Sequence, residues 1–165
     1  MAIAVAVVSA AVTMPAARAA TPTGRSESPT QQADFNGDGY GDIAAGVPGE
    51  SVGTRSGVGQ VIILRGSASG PIAAGSRAFH QDSAGVEGVA EPKDLFGGAP
   101  SPLDADSDGR AELALGAPGE NTSADSVRVL PGTSGGIRST GSMTFGSGTL
   151  GTDPTNAQLG TDFDH

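Results

Sequence analysis

The sequence predicts an all-β fold assembled from two copies of one short-stranded unit, and three observations carry that prediction. Twenty-seven Gly and eleven Pro in 165 residues interrupt the chain so often that the apolar runs between them have strand length. Five Phe, one Tyr and no Trp point to a thin, aliphatic core. Most informative, the segment DFNGDGYGDIAAGVPGE at 34–50 returns as DADSDGRAELALGAPGE at 104–120.

Taken in order, residues 1–19 are Ala/Val-rich and end in Ala17-Arg18-Ala19, the small-x-small form of a signal-peptidase site. They are expected to be a cleaved export signal. The run is short and contains Pro15, which sets it apart from a membrane anchor, although no Lys or Arg follows Met1. Residues 20–33 are Ser/Thr/Pro/Gln-rich without periodicity and read as a flexible linker. The first unit, 34–95, then holds an acidic loop and strands at Asp42 to Val47, at Gln60 to Leu64 and around Arg77 to His80. A further strand is expected through Phe96 into the second loop. The second unit, 96–158, repeats this plan: Val61 to Gly66 matches Val127 to Gly132 at an offset of 66 residues, so its loop after Pro-Gly-Glu is four residues shorter. Leu95-Phe96-Gly97 returns as Gln158-Leu159-Gly160, and residues 159–165 read as the start of a truncated third unit. Four short strands per unit is the arithmetic of a β-propeller blade, so two units make a partial propeller.

The formal charge is −9, and −10 without residues 1–19, which carry one Arg and no acid. Such a surface repels phosphate backbones and anionic lipid and attracts divalent cations. Nucleic acid and membrane insertion are therefore excluded as partners. With no Cys, neither disulfides nor thiolate metal sites exist, so a secreted chain of this kind needs another stabiliser.

The acidic loops offer one. Oxygen donors at alternate positions converge on a single ion when Gly lets the loop turn sharply, and calcium prefers such oxygens to nitrogen or sulfur. In the first loop the donors are Asp34, Asn36, Asp38, the Tyr40 carbonyl and Asp42; in the second, Asp104, Asp106, Asp108, the Arg110 carbonyl and Glu112. Any single Asp/Asn/Gly cluster is usually just a turn, but two copies sharing the same oxygen-bearing positions argue for structural Ca2+. Magnesium, which keeps more of its waters, is the lesser alternative. An EF-hand is rejected because it requires Glu at position 12, where Ala45 and Leu115 stand, and helices on both sides.

Phe96-Gly97, the loop from Asp104 to Glu112 and Gly116-Ala117-Pro118, with Gly46-Val47-Pro48 as the earlier copy of the last, give the sequence its family likeness. It resembles the FG-GAP repeat of the integrin α-subunit propeller and of related bacterial secreted proteins. The resemblance covers about 34–165 and implies a seven-bladed propeller with calcium held in loops on one face. This sequence departs from the pattern in three places: no Phe-Gly precedes Asp34, Pro100 and Pro102 interrupt the stretch before the second loop, and only about two units are present. Two blades cannot close a ring, so a partial product, or self-association through open blade edges, is expected.

Catalysis is not expected. Gly132-Thr133-Ser134-Gly135-Gly136 formally matches the G-x-S-x-G elbow, but the first unit has a turn at the same place without that Ser in register. His80 sits at a strand end and reads as structural, and acids committed to calcium are not free for glycosidase chemistry. The functional expectation is a secreted, calcium-binding module for binding or adhesion to a protein or carbohydrate ligand. The alternative is the accessory repeat region of a secreted, phospholipase-like hydrolase whose catalytic part lies outside this chain.

Overall fold

The structure, a computed structural model, describes residues 33–120, 125–151, 153 and 159–163. The export-signal and lead-in segments up to residue 32 and the C-terminal His165 lie outside the described residues. Seven strands and one helical turn are present among them: β1 (Ile43–Val47), β2 (Gln60–Arg65), β3 (Ile72–Phe79), β4 (Gly98–Leu103), β5 (Glu112–Ala117), β6 (Ser126–Leu130), β7 (Met143–Gly146) and α1 (Ser147–Leu150). The chain is all-β as expected, and its antiparallel sheets, ordered β1-β2-β3 and β4-β5-β6-β7, are partial propeller blades.

Register shows the internal repeat at atomic level. Val61 pairs with Phe79 and Ile63 with Arg77, while Val127 pairs with Phe145 and Val129 with Met143. Likewise Ile43 faces Leu64 and Leu113 faces Leu130. β1, β2 and β3 are thus the counterparts of β5, β6 and β7. β4 has no counterpart among the described residues, since the matching positions precede Asp34.

Three details differ from the sequence reading. β3 begins at Ile72 rather than near Arg77, its first part joined to β2 through a register shift between Ile63 and Arg65. The strand expected through Phe96 starts after it, at Gly98; Phe96 itself makes a single parallel bridge to Gly59. Pro100 and Pro102 are accommodated within β4, because β4 is an edge strand bonded only to β5 and is bulged between Gly98 and Ser101, so the missing N–H groups break no ladder.

Nor is the core purely aliphatic. Phe35, Phe79 and Phe96 are buried in it beside Val61, Leu113, Leu115, Leu130 and Ile137. Phe35 and Phe96 lie at the junction of the two units, where large side chains have both sheets to pack against. Exposure is distributed unequally between matching strands: every residue of β5 is buried, whereas in β1 only Ala44 and Val47 are even partly so.

The spacing between units depends on glycine. A Cβ on Gly46 would lie 2.0 Å from the Gly97 carbonyl oxygen, and one on Gly116 would lie 1.9 Å from that of Gly160. Backbone therefore packs directly on backbone at the same place in each unit. Beside this seam runs a buried polar network: the Arg128 guanidinium, 2% exposed, donates to the Glu87 carbonyl at 3.0 Å and to Glu120 at 3.2 Å, and Gln81 also donates to Glu120. Asp94, 1% exposed, accepts from the Glu91 N–H at 2.6 Å. Burial, reinforced by the nearby Glu120 and Glu91 charges, raises its pKa to about 6.

Two outcomes are expected. Gly116→Ala should cost about 2 kcal/mol or more in urea denaturation, because the clash is with main chain, while Gly49→Ala, with nothing within 4 Å, should be close to neutral. Asp94→Asn tests the buried acid. A carboxyl whose folded pKa exceeds its unfolded value of 3.8 takes stability away as pH rises from about 4 through 6. The Asn variant should therefore be more stable at pH 7, by up to about 3 kcal/mol, and the advantage should vanish by about pH 4 in parallel pH-dependent melts.

Candidate metal centre

Each acidic loop enters its β-hairpin just before β1 or β5, and its fold is dictated by short acceptors bonding the backbone a few residues on. In the first loop the Asp34 carboxylate accepts from the N–H groups of Gly37 at 2.8 Å, Asp38 at 3.2 Å and Gly39 at 2.9 Å. Asn36 Oδ1 accepts from Asp38 N–H and Asp38 Oδ1 from Tyr40 N–H, at 2.8 and 2.9 Å. Gly37 and Gly39 both adopt positive φ, 74° and 85°, which lets the chain coil back on these acceptors.

The second loop repeats the arrangement. Asp104 accepts from Asp108 and Gly109 N–H at 3.1 and 3.2 Å, Asp106 accepts from Asp108 N–H at 3.1 Å, and Asp108 accepts from Arg110 N–H at 2.8 Å. Ser107, which replaces the first glycine, still takes a positive φ of 60°. The result brings carboxylate oxygens of Asp104, Asp106 and Asp108 within 4.8 Å of one another. Three hard oxygen donors at that separation fit a divalent cation such as calcium. The Arg110 guanidinium pairs with Asp108 at the rim, where both side chains are 35% exposed.

Asp42 and Glu112, the last acids of the two loops, hold a structural role that the spacing alone did not disclose. Asp42 Oδ2 accepts from Phe35 N–H at 2.9 Å and Oδ1 from Gly66 N–H at 2.8 Å. Glu112 accepts from Ala105 N–H at 2.8 Å, the matching bond in the second unit. Both are buried, so each clamps the start of its loop, and Asp42 also ties that loop to the end of β2. The sequence signal was a Gly invariably closing the strand opposite, at Gly66 and Gly132. In the ligand set expected from the sequence, Tyr40 and Arg110 contribute only their carbonyls, so their side chains are free to differ; Tyr40 is 44% exposed. The two loops are neighbours, since Ala111 N–H donates to the Asp34 carbonyl at 2.8 Å and Gly37 lies against the Arg110 stem.

Ser134 lies in a tight turn. Thr133 N–H and Gly136 N–H donate to each other's carbonyls at 3.1 and 2.7 Å, and Thr133 Oγ1 donates to the Gly136 carbonyl at 2.8 Å. Ser67 and Gly70 form the same hydroxyl contact at 2.6 Å in the first unit. The segment leads toward β7 and not into a helix, so no nucleophile elbow is built there. His80 follows β3 and donates its backbone N–H to Ser83 Oγ at 3.0 Å.

Among curated proteins, the chain is 37% identical over 110 residues to phosphatidylinositol-glycan-specific phospholipase D of Rattus norvegicus, an alignment covering 63% of this chain and 13% of that protein. The Bos taurus protein of the same name is 37% identical over 86 residues, covering 52% and 10%. Integrin alpha-PS2 of Drosophila melanogaster is 38% identical over 88 residues, covering 53% of this chain and 6% of the integrin. The chain thus spans about an eighth or less of the length of these relatives. The family model for the FG-GAP repeat, a non-catalytic module, matches residues 31–64 and 96–130, each match running from just before or at the start of a unit through its acidic loop to its second hairpin strand. The chain carries two FG-GAP repeats, at residues 31–64 and 96–130.

Proposed function

We propose that this chain is an exported, non-enzymatic binding module whose two acidic loops each hold one structural Ca2+. The observation that carries the reading is the convergence of Asp104, Asp106 and Asp108 at the head of β5, together with the same donor spacing in the first loop. Asp34, Asn36, Asp38, the Tyr40 carbonyl and Asp42 would hold the ion in the first loop. Asp104, Asp106, Asp108, the Arg110 carbonyl and Glu112 would hold it in the second. The ion supplies charge neutralisation there and no chemistry. It relieves the repulsion among carboxylates that the loop backbone gathers, and so couples metal binding to the order of the β-hairpins beneath.

Export rests on the small-x-small site after the apolar leader. Among the described residues no helix is long and apolar enough to cross a membrane. The ligand of the module, a protein or a carbohydrate, would be met on the exposed loop face, as in adhesion. A second reading has an observation in its favour: the likeness to phosphatidylinositol-glycan-specific phospholipase D is compatible with an accessory repeat region whose catalytic part lies elsewhere in a longer protein.

Calorimetric titration of the chain with CaCl2, followed by circular dichroism before and after chelation, tests the metal reading. About two ions per chain are expected, with strand signal reduced by the chelator. Asp38→Ala and Asp108→Ala should each remove one ion and leave the other. Unchanged stoichiometry in both variants would overturn the ligand assignment.

A further inference from the structure

Where the two units meet, the structure leaves a cavity of about 380 Å³. Glu87, from the segment between β3 and β4, lines one side, and Glu120, Asp125, Ser126, Arg128 and Thr144 of the second unit line the other. Arg128 and Thr144 pair directly across β6 and β7, so their side chains share one face of the sheet. Three acids against one guanidinium give the lining a formal charge of −2. The guanidinium is already committed: Nε donates to the Glu87 carbonyl at 3.0 Å, Nη1 to Ser126 Oγ and Nη2 to Glu120 at 3.2 Å. What the cavity lacks is donors. Asp125, 2% exposed, accepts from Leu159 N–H on Oδ2 at 3.0 Å, whereas its Oδ1 is buried with no partner among the described residues, and Thr144 Oγ1 is in the same state. Leaving such oxygens unpaired is costly, most of all for a carboxylate. The repeat does not demand this set, because the first unit has Gly59, Ile62 and Ala78 where the second has Asp125, Arg128 and Thr144.

We propose that this cavity binds a small organic dication, a linear aliphatic diamine, with one ammonium donating to Asp125 Oδ1 and Thr144 Oγ1 and the other meeting the exposed carboxylate of Glu87. An ammonium brings three N–H donors and a positive charge, which are the two things the lining is short of. Bonds from a charged donor to a buried carboxylate are the strong kind. A divalent metal ion suits the cavity less well. Among the described residues only Asp104, Asp106 and Asp108 bring three such ligand groups within 4.8 Å of one another, so the cavity acids are not gathered for one ion. A neutral sugar would leave the charge of −2 uncompensated, and no aromatic ring among the described residues lines the cavity to stack on it. An anion would meet three acids and a guanidinium whose nitrogens are taken. The volume falls in the range of small-ligand pockets, roughly 300–1,000 Å³. The inference uses none of the acidic-loop residues and is independent of the calcium reading.

Calorimetric titration of the full chain with 1,4-diaminobutane, at pH about 7 in about 0.15 M NaCl and about 1 mM CaCl2, tests it. One diamine per chain is expected, with a Kd below about 1 mM. Asp125→Asn keeps the shape and removes the charge, and should weaken binding about tenfold or more. Glu87→Gln changes a surface side chain and should weaken it about two- to fivefold. Circular dichroism checks that each variant is folded; if Asp125→Asn is not, Thr144→Val takes its place, with a loss of about fivefold. The neutral 1,4-butanediol, of the same length, should give no detectable heat. Raising CaCl2 to about 10 mM should leave the diamine affinity within about twofold, since the acidic loops are not its site. No diamine binding, equal affinity in the folded variants, equal binding of the diol, or displacement by calcium would each overturn the proposal.

Discussion

The contact on which the assembly of units depends is a main-chain carbonyl lying where a glycine has no side chain. Gly97 O against Gly46 and Gly160 O against Gly116 fix how closely one unit approaches the next. At that distance Phe35 and Phe96 are buried between the units, and Phe96 N–H reaches the Val58 carbonyl at 2.9 Å. The Arg128 guanidinium is drawn into the same seam, and its cost of burial is offset by three hydrogen-bonding partners, Glu87, Ser126 and Glu120. The acidic loops become neighbours for the same reason.

Much of this was legible in the sequence, because repetition turns weak local signals into strong ones. A single Asp/Asn/Gly cluster is an ordinary turn, but the recurrence of Asp34, Asn36 and Asp38 as Asp104, Asp106 and Asp108 gave the loops and the strands that follow them. What could not be read was whatever depends on contacts between units. Arg128, Glu120 and Asp94 look like surface charges in a chain read residue by residue, and only the approach of the two sheets buries them. The clamp formed by Asp42 was hidden for a related reason: its partner Gly66 lies 24 residues away, across a loop whose length differs between the units. The prolines of β4 were misleading in the opposite direction, since an edge strand tolerates them and sequence alone does not say which strands are edges.

The loops show how a backbone can concentrate negative charge. Each carboxylate is held by N–H groups two to five residues ahead, so the turn satisfies donors that would otherwise need water and aligns the acids as a by-product. Asp42 and Glu112 contribute differently, anchoring the loop from beneath. Loop shape and loop anchoring are therefore separate functions of neighbouring acids, which is why the last acid can lengthen from Asp to Glu while the first and third carboxylate positions keep Asp in both copies.

In both sheets the strands lie side by side in the order in which they occur along the chain. Every ladder is consequently closed by a hairpin, and no strand must wait for a distant segment before it can pair. Pairing between sequence neighbours confines the energetic coupling between units to their shared seam. Either unit can then serve as the nucleus, with the other condensing onto it, and cooperativity along the molecule is set by how well that seam is packed rather than by the sheets themselves.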